Sequence, residues 1–340
     1  MSAQELTVYV PDGGKWLQRT GNICYFEGET PYPDISTPAR RLPVHERFDV
    51  TEIPGAMTKM GWHTSAALLN KWFHCSPKNQ AMTFSEKLNG YNEDGSRHYP
   101  DHRIDRNTIQ LAWVLSYPRV KAAYAKLTND YSYLNSDAAR NALVRKLRQF
   151  KDRGHVDTLE EANGDIAALH AHFQFQRLQV DTSALEKAAV FFRAMLNYGM
   201  PDDLAGALGG FGLYVAPAKI RIRPPIIGSG TLAEVTHIAI YVKNPYSFFD
   251  DPIESASQYL GHWNRDGICL VPEGYVAQWA DFSGWSNYII QPEGPYGRTY
   301  WPVHNSDFRR WQDKHDAGGD MILFSDYRIE KVSPTIKVRI

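Results

Sequence analysis

Asp202-Asp-Leu-Ala-Gly-Ala-Leu-Gly-Gly-Phe-Gly-Leu-Tyr-Val215 is the stretch where the chain changes its pattern. Up to Leu208 the apolar residues fit a short helix. Gly209-Gly210 can take the left-handed conformation that closes a helix end, and from Phe211 a β-rich run follows. Downstream, β-prone runs at 211–215, 219–223, 235–242, 267–271, 287–290, 320–324 and 335–340 are separated by Gly, Pro and Asp turns. Upstream, helical spacing dominates. The change predicts an α+β fold, with a helical N-terminal and middle region followed by a mainly antiparallel β-rich C-terminal region.

Working back from that boundary, residues 184–197 fit a helix through Leu185, Ala189, Phe192 and Leu196, but looser structure fits them as well. Thr158 and Glu161 match a capping box and predict a helix to about His170. Ser136–Phe150 places Ala139, Leu143, Leu147 and Phe150 on one face. The run from Asn107 to Leu127 reads as a helix broken near Tyr117 by Pro118, which lacks an N–H and clashes with the preceding turn. An earlier helix is expected from Asp49 or Thr51 to Phe73, with Met57, Met60, Ala67, Leu68 and Trp72 forming an apolar stripe. Residues 1–48 read as a strand-and-loop arm, 49–183 as a helical region and 184–340 as a β-rich region.

The 340 residues carry 37 basic and 38 acidic side chains, for a net charge of −1, with 43% hydrophobic residues, 22% charged and nine Trp. That composition belongs to a globular chain and excludes a disordered or collagen-like one. No global field favours a polyanion, so nucleic acid is not indicated unless the fold gathers a local basic patch. Cys24, Cys75 and Cys269 lack CxxC spacing, which predicts reduced thiols, neither a disulfide framework nor a structural zinc site. Met1-Ser-Ala-Gln-Glu-Leu-Thr-Val-Tyr-Val10 lacks a secretory leader pattern, and synthesis in the cytoplasm is expected. No apolar run approaches the roughly 20 residues of a membrane span.

The signatures GxSxG, Walker P-loop, HExxH and GxGxxG are absent, and no cofactor or metal is assigned. Asp101-His-Arg-Ile-Asp105-Arg106 reads either as a base beside an anion-binding Arg pair or as a solvated helix entrance. His170-Ala-His172 would share one face of a strand and could hold a metal with a third ligand. At a helix end it would instead meet the negative dipole. Tyr259-Leu-Gly-His262-Trp263-Asn264-Arg265-Asp266 reads as a turn that presents a His, and aromatics from Trp279 to Trp301 would serve a groove or a core equally. The densest cluster is His304, Asp307 and Arg309, then His315 and Asp320. An Asp near a His is the arrangement that orients an imidazole for acid/base work, and the same residues would also serve as a polar staple.

Several blocks carry a family resemblance. They are Ile53-Pro-Gly-Ala-Met57, Gly61-Trp62, Trp72-Phe73, Asp203-Leu-Ala-Gly-Ala-Leu-Gly209, Tyr241-Val-Lys-Asn-Pro-Tyr-Ser-Phe248, Tyr259-Leu-Gly-His-Trp263, Asn305-Ser-Asp-Phe-Arg309, Gly318-Gly-Asp320 and Ser325-Asp326. Over roughly Val50 to Tyr327 the chain resembles an uncharacterised proteobacterial family found near VgrG and PAAR proteins of type VI secretion systems. The resemblance implies an effector or accessory of that apparatus and no particular reaction. Where members of the resembled family carry an acidic Asp-Thr-Tyr-Asp-Phe block, this chain has Asn244-Pro-Tyr-Ser-Phe248, without either carboxylate.

Two expectations follow. One is an antibacterial effector delivered to neighbouring cells by type VI secretion, its reaction open and hydrolysis included. In it His315 would be the acid/base, Asp320 its orienting carboxylate and Arg309 an anion clamp, with Asp307 and His304 beside them. The other is a non-enzymatic adaptor, chaperone or immunity protein that binds a spike component (VgrG or PAAR) or a cognate effector.

Overall fold

A computed structural model describes residues 7–10, 15–20, 23–29, 48–75, 81–83, 101–180, 202–223, 230–250, 257–269, 289–291 and 298–340. In chain order the strands are β1 Thr7–Val10, β2 Lys15–Thr20, β3 Ile23–Glu29, β4 Ile104–Ile109, β5 His155–Asp157, β6 Gln176–Val180, β7 Phe211–Arg223, β8 Leu232–Tyr246, β9 Tyr259–Asn264, β10 Gly267–Cys269, β11 Ile289–Gln291, β12 Arg298–His304 and β13 Met321–Arg339. The helices are α1 Ile53–Lys59, α2 His63–His74, α3 Leu111–Val114, α4 Pro118–Asn129, α5 Tyr131–Leu134, α6 Asp137–Leu147, α7 Thr158–Glu161, α8 Ile166–Phe173, α9 Asp203–Leu208 and α10 Asn305–His315. The fold is α+β, with a mainly antiparallel sheet content and strands dominating the C-terminal region.

The chain forms two compact units, each discontinuous in sequence: Met1–Ala81 with Ala184–Ala207 and Phe248–Gly319, and Met82–Ser183 with Leu208–Ser247 and Asp320–Ile340. The first holds a seven-stranded sheet in the order β10-β9-β12-β11-β1-β2-β3. Its core is aromatic. The Trp72 ring meets Phe248 at 5.0 Å and Phe308 at 5.7 Å, edge to face, while Phe73 meets Trp311 at 4.7 Å. Gly318 lies against this cluster at φ +87°, and a Cβ there would come within 2.9 Å of the Trp72 ring, so only glycine fits both the backbone and the space.

Two of the sequence blocks are explained in this unit. The Asp203 carboxylate accepts from Thr64 N at 3.0 Å and Ser65 N at 2.8 Å, capping the free donors of α2. A Cβ on Gly206 would stand 2.7 Å from Ser65 Oγ and 2.9 Å from the Trp62 ring. The one helix expected from 49/51 to 73 is two, because Gly61 takes φ +80° and breaks the ladder.

The second unit is built on three long antiparallel strands, β7, β8 and β13, in a sheet ordered β4-β13-β8-β7-β5, with β6 also pairing β7. Phe211–Ala218 of β7 is buried on both faces except for Tyr214, which is half-buried. The strand's far end alternates, with Ile220 and Ile222 buried and Lys219, Arg221 and Arg223 exposed, so one face of the sheet is covered and the other meets water. The expected strands 211–215 and 219–223 are one element that bulges after Pro217, a position where a missing N–H is tolerated. Likewise 320–324 and 335–340 belong to one 19-residue strand.

The helix expected from Asn107 differs from the structure. Residues 104–109 form β4, which runs parallel to β13 with Ile322 opposite Ile104, because burying Ile104 and Ile109 in a sheet outweighs local helical spacing. Tyr117 is extended (ψ 128°) before Pro118 opens α4, as the proline requires. The expected Thr158–His170 helix is two short ones. Asp157 caps the first, while the Thr158 hydroxyl donates to Pro217 O, and Asp165 caps the second by accepting from Ala167 N at 2.9 Å.

Candidate functional site

Four of the five expected site residues lie on or beside α10 in the first unit. Asp307 accepts from the His304 backbone N at 2.7 Å, and Arg310 donates to its other oxygen. Partial burial pushes the Asp307 carboxyl up, but the His304 side chain, whose Nδ1 lies 3.7 Å away, then the His304 N–H and Arg310 outweigh burial and hold it below the usual carboxylate range. The acid therefore caps its own helix. Arg309 donates from Nε to Phe248 O at 3.0 Å and from a terminal nitrogen to Gln312 Oε1 at 3.0 Å, tying the helix to the chain before β9. Gln312 passes the bond on to Gly318 O at 2.8 Å. His315 is exposed in the last turn of α10, its ring stacked on Trp311 at 4.8 Å.

Asp320 belongs to the second unit. It is 0% exposed and accepts from Met82 N at 2.8 Å and Ser247 Oγ at 3.0 Å. A carboxylate with these donors joins three separate chain segments, 82, 247 and 320. The chemistry that would let it orient an imidazole is used to close a backbone junction.

The other constellations have structural partners. Arg106 bridges Asp165 at 2.9 Å and Asp101 at 2.8 Å, and Asp105 accepts from Asn107 N, Thr108 N and the Thr108 hydroxyl at the bend of β4. His170 and His172 lie in α8, where residues two apart point to different faces. His170 is buried and His172 exposed, so they do not form one ligand pair. Among the described residues no group of three or more His, Cys, Asp or Glu is placed to hold a metal. His262 faces Tyr259, whose hydroxyl meets its Nδ1, and Asn264 closes the β9–β10 turn by accepting from Asp266 N and Gly267 N. Most of the 279–301 aromatic run lies outside the described residues.

Sequence reasoning missed one polar cluster. His170 Nδ1 lies 3.0 Å from Tyr241 Oη, with the Tyr214 ring edge-on at 4.9 Å, and Lys243 follows two residues after Tyr241 on β8. Burial, then the Lys243 and Lys146 charges, lower the His170 pKa well below its ordinary value, and burial drives the Tyr241 phenol well up. Burial and Arg177 bring the Lys243 ammonium down to about 8. A neutral imidazole, a phenol and a lysine of lowered pKa are the groups of acid/base chemistry. Here they are 9%, 0% and 3% exposed and fill the sheet-facing core. The i, i+2 spacing of Tyr241 and Lys243 was visible in the sequence, but the approach of α8 was not.

The described residues thus define an α+β protein of two units interleaved in sequence, with acid/base groups tied into the framework of each. Its residues 48–340 match the model of a family of unknown function, DUF6402, and the chain belongs to that family. No match was found among curated proteins or solved structures. Among the described residues no helix is long and apolar enough to cross a membrane.

Proposed function

We propose that this chain is a binding protein of a type VI secretion system, an adaptor or immunity protein that seats or blocks an effector, and that it does not itself carry out catalysis. The delivery context rests on the sequence blocks between Ile53 and Asp326 that resemble proteins of VgrG and PAAR neighbourhoods. The binding role rests on Asp320, the carboxylate required by the catalytic reading, which is fully buried and accepts from Met82 N and Ser247 Oγ. Asp307 and Arg309 support the same reading, because the helix cap and the Phe248 carbonyl already engage their charged ends.

Expression in a sensitive bacterial host, in the cytoplasm and then behind a periplasmic leader, separates the two roles. A binding protein leaves growth unchanged and either protects against the product of a neighbouring gene or co-purifies with a spike component. Killing by the chain alone, abolished by His315→Ala with Asp320→Ala in soluble protein, would establish the enzymatic effector instead.

A further inference from the structure

The net charge of −1 conceals a local concentration of cations at one end of the second unit's sheet. The strand registers place Arg223, Leu232 and Arg339 in one cross-strand row and Arg221, Glu234 and Lys337 in the next. Residues two apart share a face, so all six project to the same side, opposite buried Ile222, Ala233 and Val338. Four of the six are cations. Glu234, the single acid of these rows, is 4% exposed at its side chain and pairs with Arg223 at 2.6 Å and Lys337 at 3.6 Å. Burial pushes its carboxyl up, but the pairing with Arg223 and then Lys337 prevails and lowers it.

Beside this face, between α6 and the last residues of β13, lies a concavity of about 460 Å³. Arg140 and Asn141 line it from the helix and Lys337 and Arg339 from the strand, with Val144 and Leu232 supplying apolar wall. The volume falls in the range of small-molecule sites. Guanidinium groups are suited to phosphate because their planar fork donates two parallel bonds to a tetrahedral anion. The Asn141 amide adds a neutral donor.

The geometry points to a binding site for a small phosphate-bearing molecule, its phosphate held by Arg140, Lys337 and Arg339 and its carbon portion against Val144 and Leu232. This goes beyond the proposed role and holds whichever of the two functions the chain performs.

The test is a titration of the full chain with phenyl phosphate and with inorganic phosphate at low salt, read by ligand-observed ³¹P NMR. Saturable binding is expected, tighter for phenyl phosphate because its ring meets the apolar wall. Arg140→Gln, on an exposed helix position, should weaken it about tenfold, the scale of one charge-assisted hydrogen bond. Lys337→Gln should weaken it comparably, and Arg223 still neutralises Glu234 in that variant. Lys121→Gln with Lys151→Gln removes two exposed charges elsewhere in the same unit and should leave affinity within about twofold, as surface charges outside a site do. Three results would each overturn the site: no saturation below about 10 mM, roughly tenfold weaker than a millimolar anion site; equal loss in the control pair; or binding of a short oligonucleotide without binding of phenyl phosphate.

Discussion

Replacing Lys243 with Met tests whether the interior of the second unit tolerates its lysine at a cost. Lys243 is 3% exposed on β8, and burial followed by repulsion from Arg177 lowers its pKa from 10.5 to about 8. That difference corresponds to about 3 kcal/mol between the two protonation states. Between pH 8 and 10.5 the unfolded chain retains the proton that the folded chain has released, so stability must rise with pH across that window. At pH 7 both states are charged and the folded protein bears the whole penalty. Met has nearly the same length and no charge, so Lys243→Met should stabilise the fold by about 1–3 kcal/mol at pH 7, less whatever contacts the ammonium makes. The advantage should shrink towards pH 10.5 as the wild-type lysine becomes neutral. Urea unfolding of both proteins at pH 7, 9 and 10.5, followed by tryptophan fluorescence, reads the difference directly. A destabilised Met variant combined with wild-type stability that is flat from pH 8 to 10 would refute the reasoning, since it would mean that the ammonium is fully compensated inside the sheet.

Two further outcomes are expected. Gly318→Ala combines a φ of +87° with a Cβ 2.9 Å from the Trp72 ring, so it should cost about 2–4 kcal/mol in thermal or urea unfolding; a loss below about 0.5 kcal/mol, the level of an ordinary surface change, would show that the aromatic cluster yields easily. Asp320→Ala leaves Met82 N and Ser247 Oγ without their buried acceptor and should cost about 2–4 kcal/mol, whereas exposed His315→Ala should stay within about 0.5 kcal/mol; equal stability of the two variants would contradict the assignment of Asp320 to the framework.

Much of the fold was legible where a local pattern and a tertiary need agreed. Ala139, Leu143, Leu147 and Phe150 recur at helical spacing, and all are buried in the structure. Pro118 forces a break whatever surrounds it. The failures arose where a distant partner decided the outcome. Asn107–Ile109 suits a helix by spacing, yet Ile104–Ile109 pairs with β13 more than two hundred residues later. Thr158 has the sequence of a cap, but a buried carbonyl at Pro217 takes its hydroxyl and leaves the cap to Asp157. A single sequence carries no record of those partners.

The candidate site was less legible for a related reason. A His and an Asp five residues apart look like a catalytic pair only if both side chains keep their chemistry available. Here His315 ends a helix of the first unit and Asp320 opens a strand of the second, joining segments at Met82 and Ser247. The same holds for several of the sequence blocks: Asp203 caps α2, Gly206 admits Trp62 and Ser65, Asn305 binds Phe249 O, and Gly318 admits Trp72. Each of these roles constrains residue type as strictly as catalysis would, because a buried polar group without its partner or a Cβ in a filled space costs several times the effect of an ordinary surface change. A block pattern of this kind therefore identifies a way of folding. Recognition chemistry is better sought where like charges gather beside a concavity, and the rows of Arg221, Arg223, Lys337 and Arg339 next to the one that Arg140 lines are such a place.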